Sequence, residues 1–135
     1  MKAEKTIFYL DDDIDDLYIF KEVAESLGHT VCIFVQGNLM LKALRNPNQR
    51  PDIIFLDIRM PVVNGEEILH ILKKSDTTKD IPVVMISGYN PKSLIQQYIN
   101  AGANYVMKKP NNISDYSPAL EQVLAIDWSN FQIFS

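Results

Sequence analysis

Several charged or hydroxyl-bearing residues follow apolar runs of this chain directly, and five aspartates are concentrated in one short segment. The segment FYLDDDIDD, residues 8–16, places those aspartates behind three apolar residues. Asp57 follows the run IIFL, Ser87 ends the run VVMIS, and Lys109 stands two residues after the run YVM. Carboxylates that lie close together raise one another's pKa unless a cation offsets their charge. The clustered aspartates therefore predict a bound or neighbouring cation.

The chemistry of these groups favours phosphoryl transfer. Oxygen ligands without a nearby His or Cys indicate a hard cation, Mg²⁺ or Mn²⁺, rather than Zn²⁺. A lysine and a hydroxyl at the same place suit a phosphate group held between the metal and the ammonium. A carboxylate that accepts a phosphoryl group needs an in-line donor, a metal for the equatorial oxygens and a cation on the opposite side.

The elements that must position these groups are five short, continuous apolar runs rich in Ile, Val and Phe. Such runs are typical of strands buried on both faces. They lie at residues 6–10, 30–35, 52–56, 82–87 and 104–107. Segments with helical spacing separate them, and alternation of this kind predicts a doubly wound five-stranded parallel sheet of the α/β class with helices on both faces.

The helix boundaries follow from capping signals. Gly28 and Gly102 are predicted to end the first and fourth helices. Asn90-Pro91 predicts an N-cap followed by proline at the first helical position, and Ser117-Pro118 gives the same start signal for a last helix to about Ala125. The second and third helices are predicted at residues 39–45 and 66–74.

In a doubly wound sheet, ligands bind outside the carboxyl ends of the strands. Three of the five predicted strands end in charged groups, at Asp11-Asp12-Asp13, Asp57 and Lys108-Lys109, and a fourth ends at Ser87. Each group has a simpler alternative. Ser87 alone would be an ordinary turn hydroxyl, and Lys109 alone a surface lysine. Asp57 has no such alternative, because burial without a partner would be costly.

The five aspartates of residues 11–16 divide into two groups. Asp13, Asp15 and Asp16 are explained as N-cap and first-turn acids that the helix dipole favours. Asp11 and Asp12 fit that interpretation less well, because they lie at the strand end. We therefore expect Asp11 and Asp12 to face the site and the other three to add only to the negative field around it.

Composition limits the function classes. A chain of 135 residues, 47% hydrophobic, suits one globular domain, and its net charge of −4 argues against a general nucleic-acid surface. No segment reads as a signal peptide or membrane span, and the single cysteine allows no internal disulfide, so we expect a cytoplasmic protein. The aromatic tail, residues 126–135, is expected to pack on its own domain, the alternative being a docking or dimer surface.

At these residues the chain resembles the receiver domain of two-component response regulators, the CheY-like family. The resemblance runs from Thr6 to about Ala125. It is carried by LDDD at 10–13, FLDIRMP at 55–61 with NG at 64–65, ISG at 86–88 and AGANYVMKKP at 101–110. It implies a receiver domain of the flavodoxin-like (βα)5 fold over residues 1–125, with residues 126–135 as a C-terminal tail.

The resemblance also implies roles for individual residues. Asp57 would be the phosphoacceptor for a histidine kinase or phosphotransfer protein. Asp12 and Asp57 would ligate Mg²⁺, Asp11 through water, and the backbone carbonyl of Arg59 would complete the protein ligands. Ser87 would hydrogen-bond the phosphoryl group and Lys109 would pair with it. The family's Lys-Pro bond is typically cis, which predicts a cis bond at Lys109-Pro110.

The sequence departs from the family pattern in the last predicted strand, residues 104–107. The family usually places Tyr or Phe three residues before the lysine of Lys-Pro, where ring rotation reports phosphorylation. Val106 occupies that position and the tyrosine is Tyr105. Since one step along a strand changes face, Tyr105 is not expected to substitute directly. Arg59 and Tyr89 occupy positions that, in the family, flank the phosphoryl group and tune its hydrolysis.

The resemblance predicts a stand-alone, single-domain response regulator whose output passes through protein contact, and not an enzyme with an external substrate. That contact would be with a downstream protein, a phosphotransfer protein, or a second copy through the face of the last two helices. One rival is a haloacid dehalogenase-type phosphatase, since Asp11 and Asp13 satisfy D-x-D. It lacks the expected threonine and a cap region, and leaves Asp57 unexplained. Another is a degenerate receiver that acts only as an interaction module.

Overall fold

The computed structural model describes residues 4–58, 65–88 and 91–128. Strands and helices alternate along the described chain. In order they are β1 (Thr6–Leu10), α1 (Ile14–Ser26), β2 (Thr30–Phe34), α2 (Gly37–Leu44), β3 (Ile53–Asp57), α3 (Gly65–Lys74), β4 (Val83–Ser87), α4 (Lys92–Asn100), β5 (Tyr105–Lys108) and α5 (Ile113–Leu124). Within the described ranges, no helix has the length and apolar composition that crossing a membrane requires.

The five strands form one parallel sheet in the order β2-β1-β3-β4-β5. Alternate strand residues enter two separate hydrophobic layers, because successive side chains of a strand point to opposite faces. Tyr9 and Phe55 pack with α1 and α5 on one face, whereas Phe8 and Leu56 pack with α2, α3 and α4 on the other. The sheet is thus covered on both sides, and the predicted doubly wound α/β fold is confirmed.

Two glycines end helices as predicted. Gly28 and Gly102 follow the last residues of α1 and α4, and their φ angles are +96° and +112°. Residues with a side chain rarely adopt these left-handed angles, so glycine is favoured there.

The predicted start of α5 at Ser117-Pro118 is wrong. The helix begins at Ile113 with Asn112 as its N-cap, and Pro118 lies inside it. Proline cannot donate the bond from residue 118 to the carbonyl of residue 114. Pro118 and Ser114 are both exposed, so that carbonyl is accessible to water, while buried Tyr116 packs the first turn against the core.

The start of α4 also differs by one residue. Pro91 is the N-cap, with φ −66° and ψ 153°, and the helix proper begins at Lys92. Pro91 was expected at the first helical position, and Asn90 lies outside the described residues. An extended ψ at Pro91 places it just before the helix, where its missing N–H also costs no helical bond.

Candidate functional site

The predicted site residues lie together at the carboxyl edge of the sheet. Asp11 follows β1, Asp57 and Ser87 are the last residues of β3 and β4, and Lys109 follows β5. Strand register aligns these ends, since Leu10 pairs with Leu56, and Lys109 N–H donates to the carbonyl of Ser87 at 2.7 Å. The groups predicted at the strand ends therefore lie at one edge of the sheet.

Lys109 is the centre of the site. Its ammonium donates to a carboxylate oxygen of Asp16 at 2.6 Å and to those of Asp11 and Asp57 at 3.3 Å each. Asp11 and Asp57 are 0% and 5% exposed, so these ion pairs are largely shielded from water. Burial lowers the pKa of Lys109, but the carboxylates of these three aspartates outweigh it and raise the pKa above its usual value.

Asp11 is held by hydrogen bonds on both carboxylate oxygens. The Tyr9 hydroxyl donates to Oδ2 at 2.6 Å, and the Asp13 backbone N–H donates to Oδ1 at 3.0 Å. Burial and the neighbouring Asp57 carboxyl raise the pKa of Asp11, whereas the bonds from Tyr9 and Asp13 lower it. The Tyr9 hydroxyl is therefore part of the site, although its position inside an apolar run gave no sign of this.

The donor set fits a hard divalent cation. Asp11, Asp12 and Asp57 each offer a carboxylate oxygen, and these oxygens lie within 4.8 Å of one another. Asp12 is exposed, which leaves an approach for a hydrated ion, and desolvation together with the Asp11 carboxylate raises its pKa. Carboxylate-only ligands suit Mg²⁺ or Mn²⁺. Arg59, the predicted carbonyl ligand, lies outside the described residues, as does Tyr89.

The prediction that Asp13, Asp15 and Asp16 serve only to start α1 is correct for Asp13 and Asp15 but not for Asp16. Asp13 is the N-cap, and its side chain accepts from the N–H groups of Asp15 and Asp16 at 2.9 and 3.3 Å. Asp15 is an exposed first-turn acid. The interpretation of Asp16 as a helix-start acid alone is wrong, because its carboxylate makes the shortest contact with Lys109. The sequence did contain a sign of this contact, because Asp16 lies next to Leu17 and four residues before Phe20, two residues on the buried side of α1.

A second tyrosine lies near these charges. The Tyr116 hydroxyl of α5 is buried and has no hydrogen-bond partner among the described residues. Burial raises the pKa of Tyr116 to about 12, with Lys109 opposing and the carboxylates of Asp16, Asp11 and Asp57 adding to the rise. Sequence reasoning missed this residue because it lay before the expected start of the last helix.

One glycine permits the close packing beneath Asp57. A Cβ on Gly65, the first residue of α3, would lie 2.8 Å from the backbone carbonyl oxygen of Asp57. Real Cβ atoms do not approach a backbone oxygen so closely. The glycine of the NG pair therefore lets α3 begin directly against the end of β3.

The aromatic residue of β5 lies on the face predicted for it. Tyr105 packs with the layer of α1 and α5, and its ring is 6.4 Å from that of Trp128 in an edge-on arrangement. Val106 packs with the opposite layer, of α2, α3 and α4. Residues 129–135 of the tail lie outside the described residues, so the division at residue 125 stays a prediction.

The predicted cis bond at Lys109-Pro110 is wrong, since every peptide bond between described residues is trans. The trans isomer is the lower in energy for most X–Pro bonds. Lys109 still reaches the site carboxylates from the trans backbone.

Comparison with known proteins agrees with this geometry. DivK, the polar-differentiation response regulator of Brucella anthropi, is 24% identical over 120 residues, 89% of this chain and 96% of DivK. The phosphorylated cyanobacterial phytochrome response regulator RcpA is 27% identical, with a TM-score of 0.79 over 90% of this chain and 91% of RcpA. The Mn²⁺-bound response regulator Rcp1 shares the fold at 21% identity, with a TM-score of 0.76 over 97% and 99% of the two chains. Residues 7–121 match the response regulator receiver domain, and the chain therefore belongs to that family.

Proposed function

We propose that Asp57 accepts a phosphoryl group from a histidine kinase or a histidine phosphotransfer protein, and that the chain signals through altered protein contacts. The observation that carries this proposal is the partly buried Lys109 ammonium held between Asp57 and Asp11 at the carboxyl edge of the sheet. A receiver domain is a signalling domain rather than a classical enzyme. We place the protein in the cytoplasm, with a downstream protein or a second copy of the chain receiving the signal.

In the proposed reaction a carboxylate oxygen of Asp57 attacks phosphorus while the bond from phosphorus to the donor's imidazole nitrogen breaks. The imidazole leaves with the bonding electron pair and takes a proton from water. Lys109 pairs with an oxygen of the transferred group, and the hydroxyl of Ser87, 3% exposed at the end of β4, donates to another. Mg²⁺ held by Asp12, Asp57, water on Asp11 and the carbonyl of Arg59 would neutralise the equatorial oxygens.

The dehalogenase-type alternative places the nucleophile at Asp11. The observed contacts disfavour it, because Asp11 is fully buried and its oxygens accept from Tyr9, Asp13 and Lys109. A fully buried carboxylate that three donors already engage is a poor candidate nucleophile. Asp57 is the better acceptor, because it has the same Lys109 cation at 3.3 Å and keeps some exposure, 5% against 0% for Asp11.

The test is phosphorylation by a small phosphodonor with Mg²⁺, read by intact-protein mass. The wild-type chain is expected to gain one phosphoryl group, and Asp57→Asn to gain none. Phosphorylation retained in Asp57→Asn would refute the assignment and move the nucleophile to the end of β1. A chain that binds no beryllofluoride in the presence of Mg²⁺ would instead be a degenerate receiver.

A further inference from the structure

Lys109 has one more carboxylate partner than phosphoryl binding requires. An ammonium has three protons, and those of Lys109 are directed to Asp11, Asp16 and Asp57. Among these contacts the one with Asp16 is the shortest, 2.6 Å against 3.3 Å. The ammonium therefore lies closer to the Asp16 carboxylate of α1 than to the proposed phosphoacceptor.

The position of Asp16 is fixed by the start of α1. Its N–H is bound by the Asp13 cap, and the next residue, Leu17, is fully buried in the core. The Asp16 side chain is 28% exposed and that of Lys109 is 15% exposed. The pair is thus partly shielded, and a charged pair of this kind contributes more than one at the open surface.

We propose that Asp16 is a positioning residue that competes with the phosphoryl group on Asp57 for the Lys109 ammonium and so limits how firmly that group is held. This inference rests on the proposed function of Asp57. A phosphoryl group carries more negative charge than the carboxylate it replaces, so it draws the ammonium more strongly. Asp16 opposes that movement, and its own charge repels the incoming group.

The test is the affinity for beryllofluoride, a phosphoryl stand-in, measured by titration calorimetry at saturating Mg²⁺. Asp16→Asn removes the charge at nearly constant shape, and we expect about tenfold tighter binding, the scale of one charge-assisted hydrogen bond. Asp16→Ala, as a second variant, is expected to tighten binding similarly. Asp16→Glu keeps the charge and is expected to bind within about threefold of wild type. Equal or weaker binding by both neutral variants would overturn the proposal.

Asp15→Asn is the matched control. It removes one charge from the same helical turn, but Asp15 is exposed and the ion pairs of Lys109 in the described chain go to Asp11, Asp16 and Asp57. We expect its affinity to stay within about twofold of wild type, as for a screened surface charge. Tightening equal to that of Asp16→Asn would show a general charge effect and overturn the proposed competition.

A double-mutant cycle tests whether Asp16 acts through Lys109. In a Lys109→Met background, Asp16→Asn is expected to leave the weakened beryllofluoride affinity unchanged, whereas a purely electrostatic or folding effect would persist. Persistence would overturn the inference. The two proposals fail separately: wild-type protein that shows no Asp57-dependent binding refutes the proposed function, while binding that Asp16→Asn does not tighten refutes only the role of Asp16.

Discussion

Replacing Tyr9 by Phe removes one hydroxyl from the interior of the site and nothing else. Tyr9 is fully buried, its ring packs 4.3 Å from that of Phe20, and its hydroxyl donates to Asp11 at 2.6 Å. Phe keeps the ring and its packing. A hydrogen bond to an ionised group contributes about 1.5–3 kcal/mol, so Tyr9→Phe is expected to lower the free energy of unfolding by about 2 kcal/mol at neutral pH.

The loss of unfolding free energy in Tyr9→Phe is expected to become smaller as the pH falls. The bond from Tyr9 lowers the pKa of Asp11 in the folded protein, although burial and Asp57 keep that pKa above its usual value. Removing the bond raises the folded pKa further, so the folded variant binds a proton more readily than folded wild type. The variant's deficit therefore shrinks as pH falls through the raised pKa, towards about 1 kcal/mol, the contribution of a bond between neutral groups.

The assay is urea denaturation of both proteins without divalent cations, followed by far-ultraviolet circular dichroism at about pH 7 and about pH 5. Tyr116→Phe is the matched control, because its buried hydroxyl has no partner among the described residues. That variant is expected to change stability by less than about 0.5 kcal/mol or to stabilise the fold. Unchanged stability of Tyr9→Phe, or a deficit that grows in acid, would refute the reasoning about Asp11.

Two further substitutions test packing, one beside the site and one at the opposite, amino edge of the sheet. Gly65→Ala places a Cβ against the Asp57 carbonyl, so it is expected to lower the free energy of unfolding by about 1–3 kcal/mol and to slow phosphorylation by a small donor. Gly28→Ala is the control: its backbone angle is unfavourable for alanine but no atom lies within 4 Å, so stability should fall with phosphorylation unchanged. Lys73→Met removes an ammonium that donates to the Ile81 and Lys79 carbonyls and to Asn104 Oδ1, and should cost about 1–3 kcal/mol in urea denaturation. Exposed Lys74→Met is its control, and an equal loss there would contradict the prediction.

The strand-end groups of the site could be predicted because they depend on one simple regularity. Parallel strands deliver their last residues to a common edge, so finding where the apolar runs stop located Asp11, Asp57, Ser87 and Lys109. No knowledge of helix orientation was needed. The same reasoning assigned Tyr105 and Val106 to opposite faces, since side chains alternate strictly along a strand.

Asp16 and Tyr116 could not be predicted in this way because they lie on helices. Whether a helical side chain reaches the strand ends depends on how the helix is rotated and packed, which the sequence expresses only through its buried stripe. For Asp16 the neighbouring Leu17 and Phe20 marked that stripe, but the capping interpretation was sufficient by itself. For Tyr116, the Ser117-Pro118 signal predicted the start of α5 too far along the chain. The helix begins at Ile113, because packing of its first turn outweighs the one backbone hydrogen bond that Pro118 cannot make.

The orientation of Tyr105 has a consequence for how β5 can be observed in solution. Tyr105 lies four residues before Lys109 along the chain, and its ring lies edge-on to that of Trp128 at 6.4 Å. Trp128 is the single tryptophan of the sequence. The fluorescence of Trp128 is therefore expected to respond to structural change around Tyr105, in the layer of α1 and α5. Change confined to the side of the sheet that Val106 faces is not expected to alter it.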